Sequence, residues 1–199
     1  MYIPTPSAQP VTTTMDPRSL LAPLHLLSFS TLLGTQLYQT FVVTKICYVS
    51  LPRSAFTTLQ KRLFPIYFRG QSLLLLLTIV TIPPYGPVTL IANKVAWIPF
   101  AFAGVTAALN LLVYGPRTRQ LIIERIHQET RDGLHKQTTD DVDVDVDVDV
   151  VETPSLEMQR LHRSFSRNHA MSIHLNLLTI GAMLWWGWKL ASSLSLELK

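Results

Sequence analysis

The amino-acid sequence predicts an all-α, polytopic membrane protein with four transmembrane helices and cytosolic amphipathic segments. Two observations predict it. Apolar residues make up 48% of the 199-residue chain, whereas Asp, Glu, Lys and Arg make up only 15%. The few charges are also segregated, with none from Leu20 to Thr44, none from Gly70 to Asn93 and none from Val95 to Gly115. A hydrocarbon core of about 30 Å needs about 20 mostly apolar helical residues to cross it, and each gap is of that order.

Taken in order, residues 1–19 read as a disordered tail. The first span is expected from Leu20 to Thr44. It lacks the basic start of a signal peptide, since Arg18 stands beside Asp16, and its apolar run is longer than such a leader needs, so it is expected to be retained. The second span is expected from Pro65 to Ile82, through the run Leu73 to Leu77. Pro65 would open it where a missing N–H costs nothing, and Pro83-Pro84-Tyr85-Gly86-Pro87 would close it in a short turn. The third span, Val95 to Tyr114, contains Pro99, from which a kink is expected. The helix Pro116 to Thr130, with Leu121, Ile122 and Ile126 on one face, is expected to lie along the membrane surface and to end before Gly133. Residues 20–133 thus hold three spans and a juxtamembrane helix.

Residues 134–155 form an acidic linker around the alternating Asp141 to Val150 run. A strand there would place five carboxylates on one face, so a disordered, low-complexity segment is the expectation. Residues 156–199 carry an amphipathic piece, Leu156 to Asn168, and a fourth span, Ala170 to Leu190. That span ends on Trp185, Trp186, Trp188 and Lys189, a pattern expected of an interfacial belt.

Orientation follows from the cations. Lys45, Arg53, Lys61, Arg62 and Arg69 border the first connection, and Arg117, Arg119, Arg125, Arg131, Lys136, Arg160, Arg163 and Arg167 the third. Those two connections are therefore expected in the cytosol and both termini outside or in a lumen, in an endomembrane or the plasma membrane. Cations beside anionic lipid contribute about 1 kcal/mol each, so the bilayer is the expected partner.

Polar side chains within spans are the candidate functional residues, because lipid penalises them unless they face partners. Gln36, Gln39 and Thr40 share a helix face, as do Ala103, Thr106, Ala107 and Asn110, and as do His169, Ser172, Asn176 and Thr179. Arg69 would sit near the cytosolic end of this polar seam. Gly104 and Ala108 offer a small-residue face. The simplest role is interhelical hydrogen bonding at roughly 0.6 to 2 kcal/mol per contact; a seam for a small solute, lipid head group or ion is the sharper one. His169 and His174 are five apart and form no i, i+4 metal pair. Glycine-rich phosphate loops, nucleophile elbows and zinc-protease motifs are all missing. Cys47 stands alone, without a disulfide partner but at a depth where palmitoylation is feasible. No cofactor is expected, and no nucleic acid, because the cations border spans.

Several motifs together resemble the transmembrane protein 205-like family. Leu51-Pro52-Arg53-Ser54-Ala55-Phe56 and Leu63-Phe64-Pro65-Ile66-Tyr67-Phe68 match its L-P-R-x-x-F and L-F-P-x-Y-F signatures. Gly34-Thr35-Gln36 with Thr40-Phe41-Val42 resembles its first helix. Asn110 through Pro116 and Thr118 resembles its N-x-x-x-x-x-P-x-T element, and Phe165 through His169, Ser172, Asn176 and Leu177 its last. Ala170 departs from the family's usual glycine. The resemblance implies a four-helix membrane fold and leaves activity open. A non-enzymatic protein supporting membrane traffic or organisation is the first expectation, a small oligomeric transporter or channel subunit the second. An intramembrane enzyme using His169 and Asn176 is the third.

Overall fold

A computed structural model describes residues 20–92, 95–140 and 154–197, and among them the architecture is all-helical. The tail of residues 1–19 and the Asp-Val repeat lie outside the described residues. The chain forms α1 (Leu21–Leu37), a π-helical stretch (Tyr38–Val43) and α2 (Thr44–Ser50) without interruption. It turns at Leu51, whose backbone is extended, and returns as α3 (Arg53–Val80). A short α4 (Pro87–Ala92) precedes α5 (Trp97–Leu109), which passes through a second π-helical stretch (Asn110–Tyr114) into α6 (Gly115–Asp140). The last helix, α7 (Leu156–Glu197), is 42 residues long.

Two uninterrupted helices, Arg53–Val80 and Trp97–Gly133, are long and apolar enough to cross a membrane. At about 1.5 Å per residue the 28 residues of α3 span about 42 Å. Large apolar side chains are exposed and several polar ones are buried. Leu24, Leu27, Phe41, Leu73, Leu76, Val105 and Leu112 point outward, while His25, Gln36, Gln71, Thr78, Thr106, Asn110 and Thr179 are buried.

Several local expectations change. The second helix begins at Arg53, capped by Pro52, so Pro65 falls inside it. Its ring removes the bond that an N–H there would have given the carbonyl of Lys61, four residues back. Pro99 lies in the first turn of α5, where the first N–H groups lack partners anyway, so it has no helical bond to break and the expected kink has no cause there. The helix from Pro116 is not a separate element. Leu109, Asn110 and Gly115 all keep right-handed helical angles, and α6 prolongs α5, runs past Gly133 to Asp140 and packs on α7. The amphipathic piece and the fourth expected span are likewise one helix, α7.

The end of the bundle near the α3–α4 turn is packed with Phe29, Leu32, Leu75, Ile82, Phe100, Ala103, Ala107, Ala182, Met183 and Trp186. Trp186 is therefore a core residue, not a member of an exposed belt; Trp185 and Trp188 remain exposed. The reason is His25, whose Nδ1 donates to the Thr78 carbonyl at 2.9 Å and whose Nε2 accepts from Trp186 Nε1 at 3.1 Å. The small-residue face that packs is Ala103 and Ala107; nothing approaches Gly104. The turn after α3 needs Gly86, whose φ is +66° and where a Cβ would meet the Val80 carbonyl oxygen at 2.8 Å.

Candidate functional site

The opposite half of the bundle is polar and built around Asn176. Its Oδ1 accepts from Tyr67 Oη at 2.8 Å and from Gln71 Nε2 at 3.3 Å, and its Nδ2 donates to Thr40 Oγ1 at 2.8 Å. One amide thus ties the first helix, α3 and α7 together. Beside it Thr106 and Thr179 share a hydrogen bond of 2.7 Å, and Asn110 Nδ2 donates to the Ser172 carbonyl at 3.0 Å.

Below this cluster the helices part around a cavity of about 150 Å³. Tyr67, Ser172 and Asn176 line the end nearest the cluster; the lining also includes Gln39, Thr40, Gln60, Phe64, Phe68, Thr118, Ile122 and His169, with Lys61 and Arg119. That volume matches an engineered apolar cavity known to admit a benzene ring, so one ring or one head group fits. Both π-helical stretches border it: Thr40 belongs to the first, and Gly115, directly after the second, lies in the lining. Widened turns of this kind recur at functional sites. Gly115 is required there, because a Cβ would stand 2.6 Å from the Asn110 carbonyl oxygen and 3.4 Å from the Phe68 ring. Pro116 follows it on the exposed side.

The lining includes buried polar atoms without a protein partner. Gln60 is 3% exposed and Thr118 5% exposed. Neither the amide of Gln60 nor the hydroxyl of Thr118 is hydrogen-bonded to protein, and Gln39 Nε2 is also unpaired. His169 sits between Phe165, stacked at 5.4 Å, and Phe64 at 6.1 Å.

Beyond the cavity, α6 and α7 continue as an antiparallel hairpin. Arg125 lies over the Phe165 ring at 5.1 Å and donates from Nη2 to His162 Nε2 at 3.3 Å. Ser155 caps α7 by accepting from the Met158 N–H and donates to Asp132 of α6. Burial first, then the positive charges of Arg125 and Arg53, hold the His162 imidazole below its ordinary value, with Glu129 opposing.

Of the residues expected from sequence, Gln39, His169, Ser172 and Asn176 meet in the cavity lining, as do Phe64, Pro65, Tyr67, Phe68 and Thr118 of the motifs. Asn110 reaches it through Ser172. Gln36 is fully buried outside the lining, with both amide atoms unpaired. Arg69 is exposed and does not join the seam. Leu51, Pro52 and Arg53 shape the turn into α3, where the Pro52 carbonyl accepts from the Phe56 N–H. Sequence reading missed Gln60, Gln71 and His25. The signal was present: Gln60, Phe64, Tyr67, Gln71 and Thr78 follow one face at spacings of three, four and seven. Among the described residues no group of three or more His, Cys, Asp or Glu gathers.

A family model described as a domain of unknown function, DUF4149, matches residues 27–127. The chain belongs to the DUF4149 family. The matched stretch carries the first helix, α3 and the start of α6, which form most of the cavity wall; His169, Ser172 and Asn176 come from α7, beyond it. The chain is also similar to the protein named xanthocillin biosynthesis cluster protein D of Aspergillus fumigatus, with 40% identity over 176 residues, 88% of this chain and 92% of that protein. No solved structure matches.

Proposed function

We propose that this DUF4149 chain is a non-enzymatic, four-span membrane protein that holds a small guest between its helices, as a carrier or as one subunit of an oligomeric transporter. One observation carries the reading: a bundle with an apolar exterior buries a polar seam, and that seam ends in a cavity lined by unpaired amides. Hydrogen bonding between helices explains Asn176 and Thr179. It does not explain Gln60, whose amide has nothing to bond.

The first and fourth spans belong to this proposal. Leu21–Ser50 is helical throughout and free of charge to Thr44, and the segment of α7 from Ala170 to Trp188 is free of Asp, Glu, Lys and Arg. The basic connections then lie in the cytosol, in an endomembrane or the plasma membrane, with both termini opposite. We also read the DUF4149 membership and the signature motifs together as a transmembrane protein 205-like chain. A wider role in membrane traffic or organisation would draw on the exposed basic hairpin. The relative's name ties that protein to a biosynthesis cluster, and a biosynthetic product is accordingly one class of guest.

Accessibility tests the reading. In a Cys47→Ser background, Ser172→Cys should react with methyl methanethiosulfonate at least tenfold faster than Thr179→Cys, which is fully buried outside the lining. Equal, slow rates would mean a closed bundle and would contradict the proposal.

A further inference from the structure

The chemistry of the guest can be read from which groups lack partners. This step rests on the reading of the cavity as a binding site. Among its unpaired groups, Gln39 Nε2, Gln60 Nε2 and the Thr118 hydroxyl are able to donate, and Gln60 Oε1 is the one that can only accept. Lys61 and Arg119 add two cations, and the lining contains no Asp or Glu. Neither cation takes part in an ion pair among the described residues, where Arg125 and Glu129 form the ion pair. A carboxylate-free lining with three unpaired donors and, at its edge, the half-buried Lys61 and the exposed Arg119 favours an oxygen-bearing anion, because charge-assisted bonds are the strong ones and a buried donor needs an acceptor. Phe64, Pro65, Phe68, Ile122 and Ile173 supply the apolar part of the lining, beside the polar Thr40, Thr44, Tyr67, His169, Ser172 and Asn176.

We propose that the cavity binds the oxyanion head, carboxylate or phosphate, of an amphiphile whose apolar remainder lies against Phe64, Phe68 and Ile173. A cavity of about 150 Å³ is too small for a whole lipid, given that sites for drug-sized ligands run from about 300 Å³. It receives the head group and the start of the apolar part, against Phe64, Phe68 and Ile173, and the rest of the molecule extends out of the cavity. Such a head group has two sources, a lipid of the bilayer or a small acidic product arriving from water.

The test uses the full chain in phosphatidylcholine nanodiscs, with retention of added probe read by native mass spectrometry. Dioleoyl phosphatidate and oleate represent the lipid source, phenyl phosphate and benzoate the soluble source, and oleyl alcohol the neutral control. Oxyanion probes should be retained at least tenfold better than oleyl alcohol. The double variant Lys61→Glu/Arg119→Glu should lose at least tenfold of that retention, whereas Lys45→Glu/Arg69→Glu, which reverses two cations outside the cavity, should stay within twofold. Thr118→Val, which removes a hydroxyl that has no protein partner, should weaken binding several-fold. Preference for phosphatidate and oleate assigns a lipid guest, and preference for phenyl phosphate and benzoate a soluble one. Oleyl alcohol retained as well as oleate, or charge reversal without effect, overturns the proposal. If no probe binds while Ser172→Cys still reacts rapidly, the oxyanion assignment fails and the guest-binding reading survives. A slow Ser172→Cys marks failure of that reading itself.

Discussion

At the scale of single residues, two buried amides make opposite predictions. Asn176 uses both ends of its amide, accepting from Tyr67 and Gln71 and donating to Thr40. Bonds between membrane helices average about 0.6 kcal/mol, so Asn176→Leu should destabilise the bundle by about 2 kcal/mol in a detergent unfolding titration. Gln36 is just as buried, yet neither amide atom has a partner. An unsatisfied buried polar group costs about 1 to 3 kcal/mol, so Gln36→Leu should raise stability in the same titration. A fall would show that Gln36 has a partner in the membrane. Asn176 was legible because His169, Ser172, Asn176 and Thr179 recur along one face of a span. Gln60 was not, because it lies between Arg53 and Arg62 in a stretch that composition assigns to a connection. Arg69 misled for the complementary reason: its charge suggested a functional role, and the helix turns it outward.

At the scale of elements, the apolar runs fall on the first helix, α3, α5 and the later part of α7, the short α4 was not read from sequence, and proline misplaced two boundaries. A proline stops a helix only when nothing else holds the flanking turns. Pro65 is carried inside α3 by packing on both sides, and Pro116 is accommodated directly after a π-helical stretch. That stretch depends on Gly115. Gly115→Ala places a methyl 2.6 Å from the Asn110 carbonyl oxygen, and forced overpacking of this kind costs about 1 to 3 kcal/mol, so a lowered melting temperature is expected. The α6–α7 hairpin was read from sequence as two surface pieces, because the residues that join them, Arg125 with His162 and Asp132 with Ser155, lie far apart in the chain. It should also respond to pH. The folded state depresses the His162 pKa below its ordinary 6.5, so the neutral ring, which accepts from Arg125, is the stable form. The stabilisation is fully present above pH 6.5 and is lost as pH falls below it. Limited proteolysis of the hairpin should therefore quicken between pH 7.5 and pH 5. In His162→Gln, whose carbonyl accepts without titrating, that change should flatten.

For the whole molecule, charge gaps mark the apolar stretches in the sequence, and the structure adds where polar side chains go within them. The exposed surface carries many Leu, Val and Phe side chains, and His25, Gln71, Asn110, Asn176 and Thr179 are buried together with an apolar core. Which helix faces meet was not legible, because an outward Leu and an inward Leu look alike in a span that is apolar all round. Small residues show the same ambiguity: Ala103 and Ala107 pack, while Gly104 and Ala108 do not. The most direct measurement is a cysteine-accessibility and protease-protection map in sealed membranes, using Cys47 and single cysteines at Thr13, Thr139 and Ser195. Four spans with a cytosolic hairpin require Cys47 and Thr139→Cys to be reached from the cytosol while Thr13→Cys and Ser195→Cys are protected. A terminus labelled from the same side as Thr139→Cys would contradict the account.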